Sequence, residues 1–295
     1  MDTDLLRTFA EVARQGSVTR AARALHVQQP TLSHRLAALE RAVGAPLFTR
    51  LGNRLSLTAA GEALLPYAQH ISVAMGEALD ATRGAAGLAT QRLHIGSAET
   101  PATYLLPGYL RALRQRHPEL DVRLIVGNAA RILAVSVSGE VDVSLLTERE
   151  EHPRLRGETV RHDRFVVAVA VDDPWAMRER VSIHELATRP LLLRELGAGT
   201  RGYVDGALRD AGIQPAETLE VASLEAIKRM AEAGAGVAVV PGIAVDRESA
   251  EGRLRVLALD APANSLAYRL VWRTDKTPVL GTALLRAVIG LQTSR

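Results

Sequence analysis

Apolar residues at Leu5, Leu6, Phe9, Val12 and Ala13 recur at helical spacing and predict a helix that ends near Gly16. Ser17 is a good N-cap for a second, short helix from Val18 to Leu25, built on Ala21, Ala22 and Leu25. After His26-Val27-Gln28 a third helix starts with Pro30 in its first turn, where a missing N–H costs nothing. It carries Leu32, Leu36, Leu39 and Val43 on one face and stops at Gly44, with Pro46 blocking its continuation. Within Leu47–Leu57, Gly52-Asn53 separates two short β-compatible runs, a hairpin signal. Three helices and a hairpin in the first 58 residues predict a winged helix-turn-helix.

A long helix is expected next, with Thr58 as N-cap and Glu62 in its first turn. Leu64, Ala68, Ile71, Met75, Leu79 and Thr82 follow one another by three or four positions, close to a heptad seam. The stripe could pack on its own domain, but no element of the first module lies beyond Leu57 to receive it, so it reads first as a dimerisation surface. Pro66 is expected to kink the helix, and the Gly- and Ala-rich segment Gly84–Thr90 reads as a hinge.

The remainder alternates strand and helix. Arg92–Gly96, Asp121–Val126 and Val141–Leu146 read as strands, separated by helices over Tyr104–Arg116 and near Ala130–Ser138. A second series holds strands at Phe165–Val171, Pro190–Arg194, Thr218–Val221 and Val237–Val240, with helices Tyr203–Ala211 and Leu224–Ala233. Such alternation predicts parallel sheets in two lobes with a cleft between them, the C-terminal helix Thr282–Leu291 returning to the first lobe. The expected domains are residues 1–58, a linker helix and hinge over 59–90, and a two-lobed domain over 91–295. Its lobe I covers about 91–164 and 267–295, and lobe II about 165–266.

Composition narrows the function. With 47% hydrophobic and 23% charged residues, the chain can bury a core. Its longest purely apolar run, Phe165–Val171, is far below the roughly 20 residues of a membrane span. Met1-Asp-Thr-Asp lacks the features of a secretory signal, so a cytoplasmic location is expected. The absence of cysteine removes disulfides and thiolate metal sites. Net charge is +3, but residues 1–58 alone carry eight Arg against four acids, leaving the rest at −1. A basic module on a near-neutral body fits a polyanion partner for the first sixty residues.

Motifs then sharpen the picture. Ser17-Val-Thr-Arg-Ala-Ala-Arg-Ala-Leu-His is followed by Gln29-Pro30-Thr-Leu-Ser33, Leu39-Glu40, Gly44-x-Pro46-Leu47-Phe48-x-Arg50 and Leu57-Thr58-x-Ala60-Gly61. In these motifs, and in length and order of parts, the chain resembles the LysR-type transcriptional regulators. The loop Arg194-Glu-x-Gly-x-Gly-Thr-Arg201 and the segment Tyr104-Leu-Leu-Pro107 resemble the carbon-fixation and sulfur-assimilation regulators among them. The resemblance implies a fold of mixed α and α/β type: an N-terminal winged helix-turn-helix, a long linker helix and a two-lobed α/β effector domain resembling periplasmic binding proteins. It implies no enzyme and no cofactor. It also implies a homodimer or homotetramer on an interrupted inverted repeat of duplex DNA, with RNA polymerase a candidate further contact.

The expected DNA-binding residues are Gln29, Pro30, Thr31, Ser33, His34 and Arg35 on the recognition helix, with Arg50 and Arg54 flanking the wing tip. Gln pairs with adenine, Thr meets a thymine methyl, and Arg and Ser reach phosphate or guanine. The family commonly has Ser where Gln28 stands, and Arg at the positions of His34 and Asn53. These departures bear on helix capping, on base preference and on salt dependence.

The cleft residues follow from strand ends, where ligands of open parallel sheets gather. Ser97, Glu99 and Thr100 follow the first strand, Asn128 the second, Thr147 the third and Ser223 the strand Thr218–Val221. Gly199, Thr200 and Arg201 belong to Gly197-Ala-Gly-Thr-Arg-Gly202, a GxGxxG match between strand and helix. With Glu217 or Glu220 as a ribose contact it could serve a nicotinamide-dependent oxidoreductase. As a helix N-terminus it suits the anionic group of a small polar effector, with Arg201 as a fork. Simple capping is open for each polar residue here, Ser223 above all. Glu99 either faces solvent at a helix start or receives an ammonium group, which would make the effector zwitterionic. No GxSxG, HExxH or GxxxxGK[ST] motif occurs, and His162-Asp163 and His184-Glu185 read as solvated pairs. A solute-binding transport protein, the remaining rival, has no use for the basic module.

Overall fold

The computed structural model describes residues 2–51, 54–85, 92–262, 264–275 and 280–290. The chain divides into two compact units, residues 1–89 with 138–140, and residues 90–137 with 141–295.

In the first unit α1 (Thr3–Gln15) is capped by Asp2, whose carboxylate accepts the Asp4 N–H, and ends at Gly16 in the left-handed region, φ 59°. Ser17 caps α2 (Val18–Ala24) by accepting the Arg20 N–H. Helix α3 (Gln29–Val43) has Gln28 at its N-cap with no side-chain cap bond, and ends at Gly44, φ 80°. Strands β1 (Phe48–Leu51) and β2 (Arg54–Leu57) pair antiparallel, with Arg50 opposite Leu55 and Leu51 opposite Arg54. Gly52-Asn53, the expected turn, lies outside the described residues.

The motif residues have structural tasks. The Glu40 carboxylate accepts the N–H groups of Leu47 and Phe48, tying the end of α3 to the start of the hairpin. Thr58 caps α4 (Ala59–Ala85) by accepting the Gly61 N–H, and its hydroxyl donates to the Pro46 carbonyl. A Cβ on Gly61 would stand 2.2 Å from the Leu47 carbonyl oxygen, so the backbones meet there without room for a side chain. Helix α4 continues through Pro66 to Ala85; the expected hinge beyond residue 85 lies outside the described residues.

The apolar stripe of α4 requires a correction. Ala68 is fully buried, and Leu64 and Ile71 pack with it against Leu6, Phe9 and Val12 of α1. The first half of the seam is therefore core of its own unit. Helix α1 folds back far enough to cover it, a tertiary contact that linear order hides.

The second unit holds two sheets. The first has the order β4-β3-β5-β13-β6, from β3 (Arg92–Ala98), β4 (Asp121–Gly127), β5 (Val143–Thr147), β6 (Leu155–Asp163) and β13 (Leu266–Arg273). The second has the order β10-β9-β11-β7-β12-β8, from β7 (Phe165–Ala170), β8 (Arg180–Ser182), β9 (Leu191–Arg194), β10 (Thr218–Val221), β11 (Val237–Pro241) and β12 (Leu254–Asp260). Both are mixed rather than parallel: β13 runs antiparallel to β5 and β6, and β7 antiparallel to β11 and β12. The reversals arise because the chain passes from one sheet to the other at residue 164 and returns after β12, and each crossing strand enters its sheet from the opposite end.

Around the first sheet lie α5 (Glu99–Tyr104), α6 (Leu106–Arg116), α7 (Ala129–Ser138) and α11 (Leu280–Ile289). The single helix expected over Tyr104–Arg116 is two helices broken at Leu105, with Pro107 in the first turn of α6. Leu285 of α11 is fully buried with Leu93, Leu106 and Leu113. Around the second sheet lie the 3₁₀ turns Ile183–Thr188 and Gly242–Ala244 and the helices α8 (Gly199–Asp210), α9 (Leu224–Glu232) and α10 (Asp246–Ala250).

Candidate functional site

Helix α3 presents Gln29, Pro30, Thr31, Ser33 and His34 exposed, while Leu32, Leu36 and Leu39 are buried in the core beneath. Gln29 accepts a hydrogen bond from the Thr19 hydroxyl of α2, at 3.1 Å, which orients its side chain on the surface. Arg35 is half-buried, with Asp4 4.0 Å from its guanidinium. Arg50 and Arg54 lie in the hairpin strands, and their side chains fall outside what is described. One face of α3 thus carries a row of donors and acceptors that the core does not use.

The second unit has a cavity between its two sheets, lined by Ala98, Glu99, Thr100, Pro101, Asn128, Ala129 and Thr147 from the first lobe and Arg194, Ala198, Gly199 and Thr200 from the second. It is small: the centre of a water-sized molecule has about 20 Å³ to occupy, room for roughly one water. Of the expected cleft residues it brings together Glu99, Thr100, Asn128, Thr147, Gly199 and Thr200. Ser97, Arg201 and Ser223 stand apart from it. The Ser97 hydroxyl is buried and donates to the Ala98 carbonyl. Ser223 caps α9 by accepting the Ala226 N–H.

Arg201 faces away from the cavity. Its guanidinium bonds Asp205 at 2.8 Å, Glu220 at 3.1 Å and the Arg194 carbonyl at 2.7 Å. Burial opposes its charge, but the Asp205 and Glu220 carboxylates outweigh burial and hold its pKa above the usual value. The Gly-rich segment differs from the expectation as well: α8 begins at Gly199, so the second and third glycines are helical rather than looped. Gly199 is closely packed, since a Cβ there would lie 2.9 Å from the Glu150 carboxylate and 3.2 Å from the Thr147 hydroxyl.

Glu99 is partly exposed, and its carboxylate already has a partner. Arg194 reaches across the cavity and its Nη2 stands 2.5 Å from the Glu99 carboxylate. Asn128 lines the cavity while its Oδ1 accepts the Arg131 N–H at the start of α7. Thr147 donates through both its N–H and its hydroxyl to Glu150. Burial raises the Glu150 pKa, the bonds from Thr147 only partly offsetting it. The Thr200 hydroxyl, buried at the first turn of α8, has no hydrogen-bond partner among the described residues. Arg194 was not among the expected cleft residues, although it opens the family-like loop of 194–201 and is a lone cation closing the apolar run Leu191–Leu193.

The family model for the bacterial regulatory helix-turn-helix protein, lysR family, matches residues 3–62, and that for the LysR substrate binding domain matches residues 86–291. The chain belongs to the LysR family. It is a DNA-binding transcriptional regulator with an effector-binding domain, and the family is one of regulators rather than enzymes. The regulator is 35% identical to the HTH-type transcriptional regulator CbbR of Xanthobacter flavus over 86% of its own length and 77% of that protein's. It is 30% identical to the RuBisCO operon transcriptional regulator of Allochromatium vinosum over 92% and 89%. These are relatives of the carbon-fixation kind that the 104–107 and 194–201 segments resemble. The regulatory domain of CcmR from Synechocystis PCC6803, solved in complex with 2-PG, superposes with a TM-score of 0.62 at 25% identity, over 68% of the regulator and 96% of that domain. Among the described residues no helix is long and apolar enough to cross a membrane.

Proposed function

We propose that the regulator acts in the cytoplasm as a homo-oligomer on an interrupted inverted repeat of duplex DNA, under control of a small anionic effector held in the cavity between its two sheets. The observation that carries the effector reading is the buried, unpartnered Thr200 hydroxyl at the start of α8, in a cavity that Arg194 also lines. A helix start supplies N–H groups and a positive dipole end, a hydroxyl adds a donor, and a guanidinium supplies charge. The complex of CcmR with 2-PG supports an effector of this class. Because both lobes contribute lining residues, an effector that fits one lobe arrangement better shifts the equilibrium between arrangements by that difference in affinity. Exposed Gln29 is the base reader, and Arg50 and Arg54 hold phosphate or the minor groove.

Two measurements test this. Thermal melting of the full chain with 2-PG should show stabilisation, as expected when a ligand binds only the native state, and Thr200→Val should remove it. In a binding-site selection, Gln29→Ala should relax preference at one base position, by about 1–3 kcal/mol for a lost bidentate contact. An unchanged selection profile would show that α3 is not the reader.

A further inference from the structure

We propose that Glu99 is a built-in surrogate for the effector's anionic group: its carboxylate holds Arg194 across the cleft, and the effector acts by taking Arg194 from it. This rests on the cleft reading above and adds how the site is switched. Arg194 ends β9 on the second lobe, and Glu99 opens α5 on the first. The Arg194 side chain is 5% exposed; Nη2 bonds Glu99 at 2.5 Å and Glu195 at 3.1 Å, and Nε bonds Glu195 at 2.8 Å.

The two carboxylates are not equivalent. Glu195 is the next residue in the chain and moves with Arg194 whatever the lobes do. Glu99 sits on the other lobe and is 32% exposed, so it can turn into water at small desolvation cost. Arg194 has no such exit, and a buried guanidinium held by too few anions is strongly unfavourable. Glu99 is therefore the partner that leaves, and only when another anion arrives. The exchange swaps one negative group for another, so the charge buried around Arg194 stays constant.

An incoming anion also finds donors that Glu99 does not use. Nη1 of Arg194 makes no hydrogen bond among the described residues. The Thr200 hydroxyl lines the same cavity without a partner. An anion with several acceptor oxygens, such as a phosphate or a carboxylate beside a hydroxyl, can engage both while holding Nη2. Meanwhile the far end of α5 stays fastened to the second lobe, because the Tyr104 hydroxyl donates to Glu225 of α9 at 2.5 Å. Releasing only the Glu99 end converts ligand exchange into a change in cleft opening around a fixed contact.

Calorimetric titration of the full-length protein with 2-PG and with inorganic phosphate tests the exchange. Glu99→Gln keeps the shape but removes the competing charge, and should bind at least one of these anions tighter by about tenfold, the scale of one charge-assisted bond. Arg194→Gln should abolish binding. Arg194→Lys, which keeps the charge without the fork, should fall between and serves if the Gln variant melts early. A Glu99→Gln chain that binds neither anion tighter than the unsubstituted protein overturns the surrogate. Weaker binding assigns Glu99 to an ammonium group on the ligand and overturns it equally. The cleft reading fails separately, if 2-PG binds the unsubstituted chain and still binds when Thr200→Val and Arg194→Gln are combined.

Discussion

Single residues carry much of what the family motifs encode, and for each the reason is a contact. Gly61 is fixed by the Leu47 carbonyl oxygen, 2.2 Å from where its Cβ would be, and by the Leu57 side chain at 2.9 Å. Gly61→Ala should push α4 off the turn and destabilise the first unit by about 1–3 kcal/mol, the usual range for overpacking. Melting of a 1–85 fragment, if it folds, or hydrogen exchange in the full chain would register it; an unchanged α4 would show the turn to be pliable. Local motifs of this kind were legible in the sequence, because Thr58, Gly61 and Glu40 act within about fourteen positions of their partners. The cleft was legible only in part. Arg194 finds Glu99 at a sequence distance of 95 residues, and no local pattern announces such a pair. Asp163 and Glu185, read as solvated, are partly exposed and make structural bonds as well. Asp163 accepts the N–H groups of Arg164 and Ile243 and the Tyr268 hydroxyl. Glu185 completes a capping box with Ser182 and pairs with Arg178.

At the level of elements, helices of the first unit follow from their spacing and caps, and the exception is informative. Helix α3 starts at Gln28 without a side-chain cap bond, so one orphan N–H of its first turn goes unserved by its own N-cap. Gln28→Ser should restore that bond and raise stability by about 1 kcal/mol, near the middle of the N-cap range. A melting temperature that stays put or falls would show that Gln28 contributes something else, such as a DNA contact that its exposed position permits. Strands were less evenly legible. Apolar runs such as Phe165–Ala170 and Leu191–Arg194 stood out because both sheet faces are covered. Strand β6, Leu-Arg-Gly-Glu-Thr-Val-Arg-His-Asp, did not, because it is an edge strand whose place comes from pairing with β13 rather than from its own pattern. The stripe of α4 misled for the opposite reason: its periodicity was real, but the same three-to-four spacing serves a seam between chains and a core within one.

At the scale of the whole effector domain, the two sheets are joined by two chain crossings, and one side chain staples them. Asn264 lies in the link between β12 and β13, and Phe165 opens β7 just after the other crossing. The Asn264 Oδ1 accepts the Phe165 N–H at 2.8 Å, while Nδ2 donates to the carbonyls of Phe165 and Leu259, each at 2.9 Å. The amide thus imitates a strand neighbour on the β12 side of Phe165, where the ladder ends at Ala258 opposite Val166. Any change in lobe arrangement on effector binding must bend these two links, so Asn264 sets how stiffly they resist. Asn264→Ala leaves three partly buried backbone groups without their partner, a loss of about 1–3 kcal/mol if water does not fully replace it. The loss should be local. Amide exchange at Phe165 should quicken, whereas protection along α3, which belongs to the other compact unit, should hold. Equal loss of protection in both would mean that the substitution unfolds the chain globally rather than loosening its pivot. Unchanged exchange at Phe165 would mean that the paired strands, not Asn264, hold the crossing.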